Sequence, residues 1–354
     1  MSNKIKLLTA AVTAALGMGF AGQAAATVFA SSSLELDDIT IVFGSTPAGG
    51  LPPPVGGTPV VAVGAGNVNI NSFQFSVGNT AQLNNGAVVA GGAVCSGTPG
   101  TNNCGVAPTL DSPATSIGIL RTNNQTSGDG TFTVFGADSG NWATSDSVIY
   151  TSELTNGQPT DTDQIAQANI TTATSGRATS DISSTTGLTL RFTVNGPNPT
   201  DMTLFFHADP DLTARIINDD GKAYNALSRV SLSVGLNNDN TGASLAWAPQ
   251  GTSTNNCLTS FGTCYELADA EDLNITVATS TNNTAVNHSY GPNVEGSAFY
   301  QIYLTGLTAG DWTLQLGSST TAVVSRVPEP ATLALLGAGL AGLGFAGRRQ
   351  RKQA

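Results

Sequence analysis

The chain has few charged residues and almost no lysine. Asp, Glu, Lys and Arg make up 10% of its 354 residues, and Lys222 is the only lysine between residues 27 and 327. Long surface helices need Glu, Lys and Arg on the face that meets water, so the composition argues against a helical protein. Clustered basic residues recognise nucleic acid and anionic membrane surfaces. Their scarcity here means that nucleic acid is not an expected partner.

Histidine is equally scarce. The chain has two histidines, His207 and His288, and neither a G-x-S-x-G nor an H-E-x-x-H motif. Hydrolytic catalysis needs positioned acids, bases or nucleophiles, and a zinc site needs several Cys or His ligands close together. We therefore expect no catalytic residue, and we expect each histidine to have a structural or surface role.

The part of the chain between its two ends is strongly acidic. Without the charged residues of 1–26 and 327–354, the totals of 13 Lys+Arg and 24 Asp+Glu fall to 7 and 23, a net charge of −16. Divalent cations and neutral or cation-bridged glycans suit such a surface. Acidity also keeps an exported protein soluble, and both interpretations stay open.

Calcium is the one cofactor that these carboxylates leave open. It takes several oxygens from Asp, Asn and backbone carbonyls, but the sequence has no EF-hand spacing. Aspartates near turns more often cap the turn. Paired carboxylates could also flank a glycosidic bond, as glycoside hydrolases require. The weak calcium candidates are Asp209, Asp211, Asp219, Asp220 and Asp239.

The N-terminus has the pattern of a secretory signal peptide. Two lysines precede an apolar stretch at residues 7–20, and Ala24 and Ala26 form an A-x-A cleavage site. We therefore predict a signal helix in residues 1–26, export by the Sec route, and a mature chain that begins at Thr27.

The C-terminus combines an extended motif, an apolar helix and a basic end. The motif is Val327-Pro328-Glu329-Pro330, in which the prolines disfavour helix in the residues before them. We predict a transmembrane helix at 331–347. Its 16 uncharged residues, 331–346, span about 24 Å, less than the ~30 Å of a bilayer core. The basic residues that keep this end cytoplasmic are Arg348, Arg349, Arg351 and Lys352.

This tail resembles a PEP-CTERM sorting signal, the bacterial C-terminal tag that an exosortase recognises. The resemblance covers only about the last 28 residues and rests on the three segments in this order. It implies an exosortase-like membrane protease as partner, a precursor held in the membrane by its C-terminal helix, and a producer that secretes exopolysaccharide. It implies nothing about the body, because such tags occur on unrelated domains. The alternative is an ordinary single-pass anchor without processing.

The four cysteines form two local pairs in loops rich in Gly, Ser, Thr and Asn. Cys95 and Cys104 make one pair, and Cys257 and Cys264 make the other. An exported protein meets oxidising conditions, so we predict two disulfides that each close a short loop.

The body, residues 27–326, alternates apolar and polar residues in many segments, as half-buried strands do. We predict an all-β, sandwich-like domain with long polar loops, and treat a second domain beginning near residue 185 as the alternative. The apolar positions change parity near Asp37-Asp38 and near Asn71-Ser72, which predicts a β-bulge or break at each. Residues 160–171 are the one predicted helix, and residues 300–304 and 312–316 are predicted to form a hairpin.

These observations favour an exported, non-enzymatic surface or extracellular-matrix protein, with exopolysaccharide or biofilm association implied only by the resemblance. A carbohydrate- or calcium-binding module is the second hypothesis, and a secreted polysaccharide hydrolase is the third. The aromatic residues considered for stacking on sugar rings are Trp142, Trp247, Tyr224, Tyr265 and Tyr303.

Overall fold

The structure, a computed structural model, describes residues 26–44, 67–98, 101–102, 119–125, 141–150, 160–171, 175–182, 187–217, 222–251, 255–289 and 299–327. Strands are the only extended regular elements in these ranges, which confirms the all-β class. No helix among the described residues has the length and apolar character needed to cross a bilayer. The predicted signal helix and transmembrane helix 331–347 lie outside the described residues.

The described strands form two antiparallel sheets. Sheet 1 has eight strands in this part of the chain, with two long strands, Thr200–Ile217 and Thr27–Phe43, at its centre. In spatial order its strands are β14 (Thr263–Asp269), β17 (Phe299–Leu307), β10 (Thr200–Ile217), β1 (Thr27–Phe43), β7 (Thr160–Ile170), β6 (Trp142–Tyr150) and β5 (Ile119–Gln125), and β16 (Thr284–Ser289) also pairs with β10.

Sheet 2 has ten strands in the described ranges, and its longest pairing joins the strands Gly310–Arg326 and Tyr224–Asn238. In spatial order its strands are β13 (Leu258–Thr259), β12 (Ser244–Trp247), β11 (Tyr224–Asn238), β18 (Gly310–Arg326), β8 (Ser175–Ile182), β2 (Val68–Leu83), β3 (Val89–Thr98) and β4 (Thr101–Asn102); β15 (Thr276–Thr279) pairs with β11, and β9 (Leu188–Val194) pairs with both β18 and β2.

The two sheets pack face to face over one hydrophobic core. Hydrogen bonds cross between them: the Ser32 hydroxyl donates to the Thr321 carbonyl at 3.2 Å. In the core, the Phe206 ring stacks on Tyr300 with centroids 5.2 Å apart and also meets Trp247. Full burial of one large apolar side chain contributes roughly 1.5–3 kcal/mol. The alternating apolar residues of both sheets therefore supply the main stabilisation of a β-sandwich.

Both bulges predicted from the parity changes are confirmed. The register of β1 shifts between Asp37 and Thr40 against β10, and Asp38 has a φ of 56°. The register of β2 against β9 shifts between Ile70 and Ser72. Each bulge keeps the apolar residues on both sides of it in the core, as the parity argument requires.

The predicted helix at residues 160–171 is wrong, because these residues form β7. Strand β7 pairs with β1 on one side and with β6 on the other. The inward side chains of its first half are polar: Thr160, Thr162 and Gln164 are buried, and Gln164 hydrogen-bonds to Ser318 of sheet 2. When a strand buries a polar residue at every second position, its sequence resembles that of an exposed segment. Pairing on both sides overrode the weak helix pattern.

The predicted hairpin of residues 300–304 with 312–316 is also wrong. Strand β17 pairs with β10 and β14 in sheet 1, whereas β18 pairs with β11, β8 and β9 in sheet 2. The chain crosses between the sheets near Thr308, whose carbonyl accepts the indole N–H of Trp312 at 2.9 Å. Alternation shows which face of a strand is buried but not which strand is its neighbour.

Strands from both sides of residue 185 share both sheets. In sheet 1, β1 pairs with β10 from Thr27 to Phe43, and in sheet 2, β2 pairs with β9. These pairings bring residues that are far apart in the chain onto common surfaces, including the one described next.

Candidate functional site

The outer surface of sheet 1 carries a concentration of carboxylates, which we call the acidic face. Glu35 of β1 lies directly opposite Asp209 of β10 and Asp163 of β7. Side chains opposite each other in a sheet point to the same side, so these three meet in one row. The acidic face comprises Glu35, Asp37, Asp38, Asp161, Asp163, Asp209, Asp211 and Glu271.

The β1 bulge builds one end of this face. Leu36 and Ile39 both point into the core, and the two residues between them, Asp37 and Asp38, lie on the outer side. The backbone N–H of Asp38 donates to the Asp161 carboxylate at 2.8 Å. The bulge therefore adds a carboxylate to the row that regular alternation would provide.

Burial, together with like charges at several positions, changes how these groups titrate. Burial raises the pKa of Asp37 to about 7, and the neighbouring carboxylates, Glu35 first among them, add to the rise. Burial also raises the pKa of Asp161, Asp209, Asp211 and Glu271. Like charges directly opposite in a sheet are destabilising, so the acidic face stores repulsion that protonation or a bound cation would relieve.

Both histidines of the chain border the acidic face, which sequence reasoning missed. His207 Nδ1 lies 3.4 Å from an Asp38 oxygen, and His288 Nε2 lies 3.1 Å from Glu271. His288 lowers the pKa of Glu271, against the larger opposing effect of burial. These partners are 169 and 17 positions away in sequence, and no local motif signals them. Each histidine ring therefore lies beside a carboxylate at an edge of the face.

The fold places the described calcium candidates in two different parts of the molecule. Asp209 and Asp211 lie on the acidic face, and Asp219 and Asp220 lie outside the described residues. Asp239 is at the far end of sheet 2, where its carboxylate accepts the Thr313 hydroxyl at 3.0 Å. Among the described residues, no group of three or more His, Cys, Asp or Glu is placed to hold a metal ion.

The turn that contains Asp239 uses its polar side chains to cap backbone groups. The Asn238 side-chain oxygen accepts the backbone N–H groups of Asn240 and Thr241 at 3.0 and 2.9 Å. The Asn240 side-chain oxygen accepts the N–H of Asp311 at 2.7 Å. The alternative interpretation of this Asn/Asp run, turn capping, accounts for these contacts.

The aromatic candidates are mostly in the interior. Trp142, Trp247 and Tyr224 are buried, and the Trp247 indole donates to Glu266 at 2.6 Å. Tyr265 is 47% exposed, and its ring stacks on Tyr303 with centroids 6.1 Å apart. Only Tyr265, among the described aromatic candidates, presents much of its surface to solvent.

The disulfide between Cys257 and Cys264 is confirmed. The two Cα atoms are 5.9 Å apart, and the bridge joins the residue before β13 of sheet 2 to Cys264 in β14 of sheet 1. Cys104 lies outside the described residues, so the Cys95–Cys104 bridge stays a prediction.

The first and last strands of the body, β1 and β18, have their outer termini, Thr27 and Arg326, at one end of the sandwich. Thr27 pairs with Ile217 at the end of β10, and Arg326 pairs with Tyr224 at the start of β11. Five residues further into each strand, the Ser32 hydroxyl of β1 donates to the Thr321 carbonyl of β18 across the sandwich. The start of β1 and the end of β18 therefore lie at the same end of the sandwich. We call this the terminal end. Of the predicted processing residues, Ala26 is buried; Ala24, Pro328, Glu329, Pro330 and the basic residues lie outside the described part.

The last described residue is still attached to the folded body. The Val327 N–H donates to the Ala223 carbonyl at 2.8 Å, directly after β18 ends at Arg326. In sequence, the three remaining motif residues follow directly on a residue that is hydrogen-bonded to the body.

Comparison with known families places a PEP-CTERM protein-sorting motif at residues 326–352. The match begins at the last residue of β18 and covers the predicted motif, helix and basic cluster. It confirms the resemblance identified from the tail. No curated protein matches the chain significantly.

Proposed function

We propose that this protein is an exported, non-enzymatic surface or extracellular-matrix protein whose C-terminal tail is processed by an exosortase-like membrane protease. The sorting motif at residues 326–352 carries this proposal. The signal-peptide pattern at the other end agrees with it, because the motif requires a body that has already crossed the membrane. Association with exopolysaccharide in a matrix or biofilm is part of the proposal.

The position of the two ends of the body supports an arrangement in which the body stands on the membrane during export. Thr27 and Val327 lie at the terminal end, so a signal peptide and a tail in the same bilayer would hold the sandwich at one end only. Strand β18 has 17 residues and spans about 55 Å. The opposite loops, near Asp239 and Asp311, would then face away from the membrane.

The contacts of the histidines support the non-enzymatic part. His207 and His288 each contact a carboxylate, and His207 also packs against the Phe299 ring. Within the described residues, neither histidine hydrogen-bonds to a serine, threonine or cysteine side chain that it could activate as a nucleophile.

The test replaces Pro328-Glu329-Pro330 with three alanines in the full-length precursor. We expect export and topology to stay unchanged while unprocessed precursor accumulates in the membrane, because the extended segment that a protease groove grips is lost. Immunoblots of cell fractions with an N-terminal and a C-terminal probe measure both outcomes.

The chain offers a matched control. Pro197-Asn198-Pro199 is a second Pro-x-Pro segment, and it lies in an exposed loop between β9 and β10. Three alanines there should leave processing normal.

Deleting the basic cluster from Arg348 to Lys352 should instead weaken membrane retention and release unprocessed protein. If the variant at 328–330 is processed like the parent, the tail is an ordinary anchor and the proposal fails.

A further inference from the structure

A polar cleft of about 580 Å³ lies on the outer surface of sheet 2, on the opposite side of the sandwich from the acidic face. It crosses β9, β2 and β3. Thr189 and Ser96 lie on either side of Gln74 in one cross-strand row, and Arg191 pairs with Ser72 in the next. Because side chains alternate along a strand, all five point to the same surface. The cleft therefore offers hydroxyl, amide and guanidinium groups.

The floor of the cleft contains a polar atom that lacks a hydrogen-bond partner in the described part of the chain. Thr189 is 5% exposed, and its hydroxyl has no hydrogen-bond partner among the described residues. A buried hydroxyl without a partner costs free energy, and native proteins satisfy most such groups. A ligand hydroxyl in the cleft would supply the missing hydrogen bond.

The rim of the cleft contains an arginine that is available for binding. Arg191 is exposed and forms no ion pair within the described part of the chain. A guanidinium presents a planar fork that fits a carboxylate through two hydrogen bonds. In a body with a net charge of −16, this group gives an anionic ligand a local place to bind.

We infer that the cleft binds a carboxylate-bearing sugar residue, as in a uronic acid unit of a polysaccharide. Arg191 receives the carboxylate, and Thr189, Gln74 and Ser96 hydrogen-bond to the ring hydroxyls. That the ligand belongs to an extracellular polysaccharide rests on the proposed function. The preference for hydroxyls together with a carboxylate rests on the side chains of the cleft.

The first experiment titrates the exported mature protein with short oligogalacturonates and, separately, with neutral cello-oligosaccharides by calorimetry. We expect the acidic sugars alone to bind. Arg191→Gln should weaken their affinity at least about tenfold, because a charge-assisted pair is lost. Arg229→Gln is the matched control: Arg229 is also exposed on sheet 2 but lies outside the cleft, and its loss should leave affinity unchanged.

The second experiment separates binding from folding. Thr189→Val keeps the shape of the side chain and removes a hydroxyl that has no hydrogen-bond partner among the described residues, so thermal stability should stay equal or rise. Affinity for the acidic sugar should fall several-fold. A lower melting temperature with unchanged affinity would show that the hydroxyl serves the fold, and would overturn the inference.

Three further results would also overturn it: no binding of oligogalacturonate, equal binding of the neutral sugars, or equal loss of affinity in the Arg191 and Arg229 variants. Export and tail processing are measured in cells without any sugar. Normal processing together with absent sugar binding therefore refutes the cleft assignment alone and leaves the proposed function standing.

Discussion

Replacing Asp37 by Asn should stabilise the protein at pH 8 and have little effect at pH 4. In the folded protein the pKa of Asp37 is about 7, against an ordinary value of 3.8. The folded state therefore holds more protons than the unfolded state between these pH values, and stability falls as the pH rises through this window. The destabilisation is absent below about pH 4 and complete above about pH 7.

The magnitude follows from the size of the shift. About three pKa units correspond to roughly 4 kcal/mol as an upper limit. Asp37 is only half-buried, and solvent screens its interactions with neighbouring charges, so we expect about 1–2 kcal/mol. Asn has nearly the same shape as Asp and removes the charge that Glu35, Asp161 and Asp163 repel.

The assay is urea unfolding of the mature protein at pH 4 and pH 8, for the parent, Asp37→Asn and a control. Asp311→Asn is the control because Asp311 is exposed at the far end of sheet 2, and Asn keeps the oxygen that accepts the Thr193 hydroxyl. Its effect should stay within ~0.5 kcal/mol at both pH values. A gain for Asp37→Asn that is equal at pH 4 and pH 8, or a loss at pH 8, would refute the repulsion argument.

Three other predictions concern separate parts of the molecule. Replacing Cys257 and Cys264 by Ser should lower the free energy of unfolding by about 2.5 kcal/mol, because the bridge closes a loop with a sequence separation of 7. A reducing agent should lower the stability of the parent by at least this much, since it also opens the predicted Cys95–Cys104 bridge, and no change in either case would contradict the prediction. Mass spectrometry of the exported protein should find Thr27 at the N-terminus, and a mature chain that retains residues 7–20 would show that the signal peptide is not removed. The variants His207→Ala and His288→Ala test the non-enzymatic proposal in a reducing-sugar assay with polysaccharides. We expect no hydrolytic activity that depends on either histidine, and a folded variant that loses such an activity would overturn the proposal.

The local pattern of the sequence predicted the strands and their irregularities. Alternation places Leu34 and Leu36 on one parity and Ile39 on the other, and the structure has a bulge between them. This works because a strand has a period of two, so an apolar side chain of the wrong parity would leave the core. No knowledge of neighbouring strands is needed for that conclusion.

The errors came from positions where neighbours decide. Strand β7 buries Thr162 and Gln164, which a reader of the sequence assigns to the surface. Strands β17 and β18 follow each other closely in the chain but enter different sheets. In both places the sequence pattern is compatible with more than one arrangement, and pairing with distant segments selects among them.

The sequence by itself identified the sorting motif at residues 326–352 and predicted a signal peptide at the other end, because both kinds of segment are recognised from linear sequence. It also determined the β class, through composition and alternation. Only the tertiary structure decided which side chains meet. The acidic face joins Glu35 to Asp163 and Asp209, and the cleft joins Arg191 to Ser72. Strand register sets these contacts over separations of more than 100 residues, where no sequence pattern encodes proximity.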